Sequence, residues 1–143
     1  MDITSPAFFK NGPIPQQYSC AGRNVSPPLE ISGIPAEAKS LVLIMHDPDA
    51  PRGDFVHWVC YDMAPGQRLE EGAVSGRQGI NSTGKLGYMG PCPPSGTHHY
   101  HFKIYALNTK LNLPSGASRQ IIESAMKGHV IQSSELVGTF SVN

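Results

Sequence analysis

The chain has 143 residues, and its 11 basic and 11 acidic side chains give a formal net charge of zero with histidine neutral. This length suits one domain with a real hydrophobic core, so we expect a single domain over residues 1–143. The balanced charge, without a stripe of lysine or arginine, argues against extended binding to nucleic acid. The 15 glycines and 13 prolines, close to a fifth of the chain, favour short strands joined by turns.

The cysteines bear on cellular location. Cys20, Cys60 and Cys92 are odd in number and widely spaced, whereas a disulfide framework uses an even number. We therefore expect reduced thiols and a cytoplasmic protein, with one bridge plus one free thiol as the alternative. The N-terminus carries no secretory pattern, although a mature secreted form without its leader would look the same, and the longest apolar run, Leu41–Met45, is too short to cross a bilayer.

The first half of the chain predicts two interior strands. The continuous apolar run Leu41–Met45 is typical of a strand that is covered on both faces, and it ends at the turn residues Asp47–Pro51. Phe55–Tyr61 is the next predicted strand. Because side chains alternate along a strand, Phe55, His57, Val59 and Tyr61 are expected on one face and Val56, Trp58 and Cys60 on the other.

The second half predicts two more strands and one helix. After a glycine- and proline-rich segment over residues 77–96, the segment His98–Leu107 alternates, with His98, Tyr100, Phe102, Ile104 and Ala106 on the expected core face. A helix is expected from about Ser118 to Lys127, ended by Gly128, with Ile121, Ile122, Ala125 and Met126 as its buried stripe. Leu136–Val142 is the last predicted strand. The fold class is therefore mainly β, an antiparallel β-sandwich with one or two short helices.

Two junctions between loop and strand carry the unusual residues. Asp47-Pro48-Asp49-Ala50-Pro51 precedes His57-Trp58, and Gly87-Tyr88-Met89-Gly90-Pro91-Cys92-Pro93-Pro94-Ser95-Gly96 precedes His98 and Tyr100. With Asn24–Leu29, Gly128-His129-Val130 and Gly138-Thr139, these motifs extend over nearly the whole chain. The chain resembles the phosphatidylethanolamine-binding protein family, also called the Raf kinase inhibitor protein family, and more closely its short bacterial and archaeal branch.

The resemblance implies a β-sandwich with a small surface pocket for anions such as phosphate or a phosphorylated head group. It implies that the pocket uses Asp47, His57, Gly90, His98 and Tyr100, with a rim of Asp49, Ala50, Pro51 and Pro91. The family motif has arginine where this chain has His99, which is charged only at lower pH. Short relatives are often dimers, so the resemblance also allows a homodimer.

The physics of such a pocket agrees with these residue types. Anions need positive charge and N–H donors, which protonated imidazoles and the main-chain amides around Gly90 would supply. A carboxylate at Asp47 would repel phosphate, so we expect it to accept a hydrogen bond from His98, fixing the tautomer and favouring the charged ring. Affinity should then fall as pH rises, and bare phosphate should bind in the rough range of high micromolar to millimolar.

The residues bear on three alternatives to anion binding: a metal site, an enzyme and a protein inhibitor. A metal site is not expected around His98, because alternation places His99 and His101 on the opposite face and zinc needs three or four converging ligands. An enzyme would use Asp47 with His57 or His98 as acid and base, but no nucleophile elbow, metal motif or phosphate loop supports it, so neither catalysis nor a cofactor is expected. An inhibitor of kinases or serine peptidases would present the loops at residues 47–54 or 77–90.

Overall fold

Two antiparallel sheets form the framework of the structure, a computed structural model that describes residues 1–142. The smaller sheet has the strand order β1-β2-β5 and the larger sheet the order β6-β4-β3-β7-β8. The expected class, a mainly β antiparallel sandwich, is confirmed. The strands are β1 (Asp2–Thr4), β2 (Leu29–Ser32), β3 (Ser40–Asp47), β4 (Phe55–Met63), β5 (Arg68–Leu69), β6 (Arg77–Gln78), β7 (Gly96–Leu107) and β8 (Val130–Val142), and the helices are a 3-10 turn (Gln16–Tyr18) and α1 (Arg119–Met126).

The main core lies between the two sheets. Ile3 and Ile31 of the smaller sheet belong to the same buried cluster as Leu43, Trp58 and Phe102 of the larger sheet. A second cluster, which includes Val42 and Ile44, lies on the opposite face of the larger sheet. Because β3 is central and both its faces are covered, all eight of its residues are buried, as its continuous apolar run predicted.

Helix α1 covers the outer face of the larger sheet. It begins where the Ser118 side chain accepts a hydrogen bond from the Ile121 amide, and Gly128 follows its end with a φ of 79°. Ile122 and Met126, one turn apart, are buried in the outer cluster of apolar side chains. Ile121 was predicted to join them but is 52% exposed, since it lies a third of a turn away from the centre of the packed stripe.

A β-bulge in β4 changes the face that two aromatic residues occupy. Met45 pairs with Trp58 while His46 pairs with Val56, so His57 is an extra residue in its strand. Phe55 and His57 consequently point toward Tyr100 on the inner side, while Val59 and Tyr61 pack with the helix on the outer side. The prediction that Phe55, His57, Val59 and Tyr61 share one face was wrong, because alternation assumes a strand without a bulge.

The preferred cysteine prediction, three reduced thiols, was also wrong, and the alternative of one bridge plus one free thiol is confirmed. Cys20 and Cys92 form a disulfide, with their Cα atoms 5.4 Å apart, while Cys60 carries a free buried thiol. Burial raises the pKa of the Cys60 thiol to about 12, so this group stays protonated. The two bonded cysteines are 72 residues apart and meet only because the fold brings their loops together, where the Cys20 N–H donates to the Pro91 carbonyl oxygen at 3.1 Å. The cytoplasmic location, which rested on reduced thiols, stays a prediction.

The helices within residues 1–142 are short, eight residues in α1 and three in the 3-10 turn. None of them combines the length and the apolar character that a membrane-spanning helix requires.

Candidate functional site

A cavity of about 190 Å³ opens where the end of β3 meets the starts of β4 and β7. The loop that the Cys20–Cys92 disulfide holds in place closes one side of it. We call this cavity the inner pocket. Its lining residues are Asp47, Ala50, Pro51, Phe55, His57, Met89, Cys92, Pro93, Pro94, His98 and Tyr100.

A buried pair of a carboxylate and an imidazole forms one wall of the inner pocket. The Nδ1 atom of His98 lies 2.6 Å from Asp47 Oδ2, and both side chains are less than 10% exposed. The other oxygen, Asp47 Oδ1, accepts a hydrogen bond from the Asp49 amide at 2.8 Å. The expected contact between Asp47 and His98 is therefore present, and the negative charge of Asp47 is compensated from two sides. With Nδ1 of His98 engaged, Nε2 is the ring nitrogen left for a ligand.

His57 is held by a main-chain oxygen of the loop between β6 and β7. Its Nδ1–H donates to the Met89 carbonyl oxygen at 2.6 Å, which fixes the tautomer because a carbonyl can only accept. Burial lowers the pKa of His57 below its usual value, although the Met89 carbonyl and the charge of Asp47 act in the opposite direction. The ring is therefore neutral at neutral pH and presents a lone pair at Nε2 until acidification adds a proton.

Tyr100 lies between the two imidazoles. Its ring centroid is 5.2 Å from that of His57 in an edge-on arrangement and 6.5 Å from that of His98 in a stacked one. The hydroxyl is buried, and within the described part of the chain it has no hydrogen-bond partner. Burial, together with the charges of Asp47 and Asp49, raises the pKa of Tyr100 against a smaller opposing effect of the nearby Cys92 main chain, so the hydroxyl keeps its proton and remains a donor.

The remaining predicted residues divide between the lining and its surroundings. Ala50 and Pro51 line the inner pocket, whereas Asp49, Gly90 and Pro91 are not among its lining residues. Asp49 Oδ2 instead accepts hydrogen bonds from both Nδ1 and the amide of His99, at 2.7 and 2.9 Å. These bonds to His99 lower the pKa of Asp49 and connect the loop after β3 to the start of β7.

Gly90 has a structural role that differs from the predicted one. Its amide donates to Asn24 Oδ1 at 2.8 Å, so this N–H is already engaged and not free for an anion. A Cβ at position 90 would lie 2.1 Å from the Tyr18 carbonyl oxygen and 2.6 Å from Asn24 Oδ1. Glycine is needed here for a close approach of two loops, not of a ligand.

The lining residues that were not predicted are mostly apolar. Phe55 stacks at a tilt on His57 with ring centroids 4.6 Å apart. Met89, Cys92, Pro93 and Pro94 lie within the same proline-rich motif that directed attention to this loop, so proximity in sequence was the available signal. Apolar walls limit access of water, which strengthens any hydrogen bond formed inside.

The inner pocket thus combines one uncommitted hydroxyl donor, two imidazoles whose Nδ1 atoms are occupied, and a carboxylate whose oxygens are both bonded. Such a set can bind the oxygens of a small anion through Tyr100 Oη and protonated imidazole Nε2 atoms.

Comparison with known proteins connects this geometry to a family. The sequence model of the phosphatidylethanolamine-binding protein family matches residues 4–141. A UPF0098 protein of Pyrococcus horikoshii is 48% identical over 95% of this chain and 74% of its own length, and one from Methanothermobacter thermautotrophicus is 46% identical over 98% of both chains.

Solved structures agree with the sequence comparison. A phosphatidylethanolamine-binding protein homologue from Chlamydia trachomatis, CT736, superposes with a TM-score of 0.97 at 44% identity, covering 99% of this chain and 97% of that one. E. coli YbcL, a member of the mammalian family of these proteins, superposes with a TM-score of 0.91 at 28% identity, covering 99% and 98% of the two chains. The chain belongs to the phosphatidylethanolamine-binding protein family, in its prokaryotic and archaeal UPF0098 branch.

Proposed function

We propose that this protein is a non-enzymatic binding protein for the phosphate group of a small ligand or lipid head group. The observation that carries the proposal is the buried Tyr100 hydroxyl, which lines the inner pocket between two imidazoles without a partner of its own among residues 1–142. A buried hydroxyl without a hydrogen bond costs about 1–3 kcal/mol, and an anion oxygen in the pocket would remove that cost.

The size of the inner pocket suits a head group better than a larger ligand. Its volume of about 190 Å³ is below the roughly 300–1,000 Å³ of pockets that enclose drug-sized molecules. A phosphate with a few attached atoms is of the right scale, while acyl chains would have to remain outside. The family name and the names of the relatives agree with a ligand of this class.

The same contacts argue against catalysis in the inner pocket. Both oxygens of Asp47 accept hydrogen bonds, the Tyr100 hydroxyl is held protonated, and Cys92 is in a disulfide and carries no thiolate. A general base or nucleophile needs a free lone pair of matched basicity. Of the groups in the pocket, Nε2 of the neutral His57 comes nearest to that description, and we assign it to binding of the anion after acidification has protonated it.

Titration with inorganic phosphate tests the proposal on wild-type protein and on Tyr100→Phe. The control is Tyr105→Phe, which removes a hydroxyl on the opposite face of β7. A hydrogen bond to a charged group contributes about 1.5–3 kcal/mol, so Tyr100→Phe should weaken binding roughly 10- to 100-fold. Because its hydroxyl is unpartnered, Tyr100→Phe should leave the unliganded protein equally stable or slightly more stable. Calorimetry with phosphate and with O-phosphoethanolamine separates free phosphate from a head group.

Equal phosphate affinities for wild-type and Tyr100→Phe protein would contradict the proposal. Hydrolysis of a phosphate ester that Asp47→Asn abolishes would show an enzyme instead.

A second candidate, a protein inhibitor of kinases or serine peptidases, is favoured by a separate feature. Leu86 and Val74 are 57% and 73% exposed and border a groove that also includes Trp58 and Tyr88. Exposed apolar side chains around a groove suit contact with another protein. Inhibition of a peptidase or kinase that survives His98→Ala but not Leu86→Asp would establish this role as independent of the inner pocket.

A further inference from the structure

Three neighbouring strands place two imidazoles and a carboxylate together on the outer face of the larger sheet. His46 of β3 is the cross-strand partner of His101 in β7, and their rings stack with centroids 5.1 Å apart. Glu135 of β8 reaches the same point, with its Oε1 atom 3.1 Å from His101 Nδ1. We call these three residues the outer cluster. One potential ligand atom from each lies within 4.8 Å of the others.

One ring nitrogen of the outer cluster is buried without a partner. The His46 side chain is 8% exposed, and its Nε2 atom makes no hydrogen bond with any residue from 1 to 142. The other nitrogen, Nδ1, lies 2.7 Å from Asp54 Oδ1, while Asp54 Oδ2 accepts from Arg119 Nη1 at 2.6 Å. A carboxylate that accepts Nδ1–H orients an imidazole and leaves the Nε2 lone pair for a metal ion.

We propose that His46, His101 and Glu135 form a site for a divalent transition-metal ion, of which zinc fits best. Two imidazole nitrogens and one carboxylate oxygen are a ligand set that zinc accepts in tetrahedral geometry, with water or an external ligand in the fourth position. With bonds of about 2.1 Å, tetrahedral ligand atoms lie about 3.4 Å apart, so the present spacing must close by up to about 1.4 Å. The side chains of His101 and Glu135 are 24% and 36% exposed, which leaves them room to rotate.

The outer cluster is separate from the inner pocket. His46 and Asp47 are consecutive in β3, so their side chains point to opposite faces of the sheet. Asp47 bonds to His98 on the inner side, while His46 meets His101 on the outer side. Lys103 Nζ lies 3.9 Å from Glu135 Oε2, which leaves Oε1 as the oxygen for the metal.

Titration with zinc chloride and cobalt chloride tests the site on the disulfide-bonded full chain, in buffer free of phosphate and chelators. We expect one ion per chain, and a visible absorption band of four- or five-coordinate Co²⁺. Imidazole ¹⁵N spectra should shift at His46 and His101 and not at His57 and His98. Glu135→Gln and His101→Asn each change a partly exposed ligand, so the fold should be retained. Each variant should weaken metal binding more than 10-fold.

Two further variants sharpen the test. Asp54→Asn should weaken binding roughly 10- to 100-fold through His46, because Asp54 positions the imidazole without touching the metal. The control variant His129→Asn, which replaces a partly exposed histidine bonded to Asn108 away from the cluster, should bind the ion as wild-type does. Absence of saturable binding, full affinity in both Glu135→Gln and His101→Asn, or shifts confined to His57 and His98 would overturn the proposal.

Discussion

Two carboxylate–imidazole pairs lie back to back on β3, and their difference explains why the two faces suit opposite ligands. On the inner side Asp47 bonds to His98, and the neighbouring group without a partner is the Tyr100 hydroxyl, a donor. On the outer side Asp54 bonds to His46, and the atom of this pair that has no partner is His46 Nε2, a lone pair. A free donor attracts an anion and a free lone pair attracts a metal ion. We therefore expect the polar atom left without a partner at each pair to decide between an anion and a metal ion.

The largest expected effect comes from removing the disulfide, which belongs to the inner side only. A bridge that closes a loop of this length contributes about 4 kcal/mol in the chain-entropy model, so the double variant Cys20→Ser with Cys92→Ser should lose much of that stability. Phosphate binding should weaken because Cys92 lines the inner pocket, while zinc binding on the outer face should persist. Urea unfolding with the two titrations measures all three. Equal losses at both sites would show that the two faces are not independent.

A smaller effect is expected from breaking the buried pair of Asp47 and His98. Asp47→Asn removes the charge from a pair that is less than 10% exposed and should lower the free energy of unfolding by about 2–3 kcal/mol. The matched control is Asp49→Asn, whose pair with His99 is about half exposed and should contribute at most about 1 kcal/mol. Chemical denaturation of both variants provides the comparison. Similar losses in the two would mean that burial of Asp47 does not strengthen its bond.

The smallest expected effects are changes with pH. Burial lowers the pKa of His57, so the folded protein resists a proton that the unfolded chain takes up near pH 6.5. The contribution of His57 should therefore make the protein less stable as pH falls below about 6.5. Protonation also makes Nε2 a charged donor, so sulfate, which keeps its double charge over this range, should bind more tightly in acid.

Urea unfolding and calorimetric sulfate titration from about pH 5 to about pH 8 measure both changes with pH. His57→Gln is the control, and it should remove the part of the pH dependence of stability and of sulfate affinity that His57 causes. Asp47, His98 and Tyr100 also face the ring, and a profile unaltered in His57→Gln would show that His57 is not the source of the pH dependence.

Much of the architecture could be predicted from the pattern of residues. The unbroken apolar run before Asp47 predicted a strand buried on both faces, and the alternation after His98 predicted a strand with one core face. Each kind of burial leaves its own pattern of apolar residues in the sequence. The family resemblance placed Asp47 and His98 in one pocket, and the pairing of the two followed from charge, since a carboxylate beside an anion pocket needs a partner. Local patterns were sufficient for the strands, whereas the pairing also needed the resemblance.

Other features depend on contacts between residues far apart in the chain. The bulge at His57 arises from the register between β3 and β4. Because of it, Phe55 and His57 lie on the opposite face of the sheet from Val59 and Tyr61, although simple alternation predicts one face for all four. The Gly90 amide is occupied by Asn24, 66 residues away, and the Cys20–Cys92 bridge spans 72 residues. The outer cluster exists only because β3 and β8 both pair with β7. Periodicity and composition determine elements and faces, but strand register and loop packing are set by long-range contacts, and these decide which side chains meet.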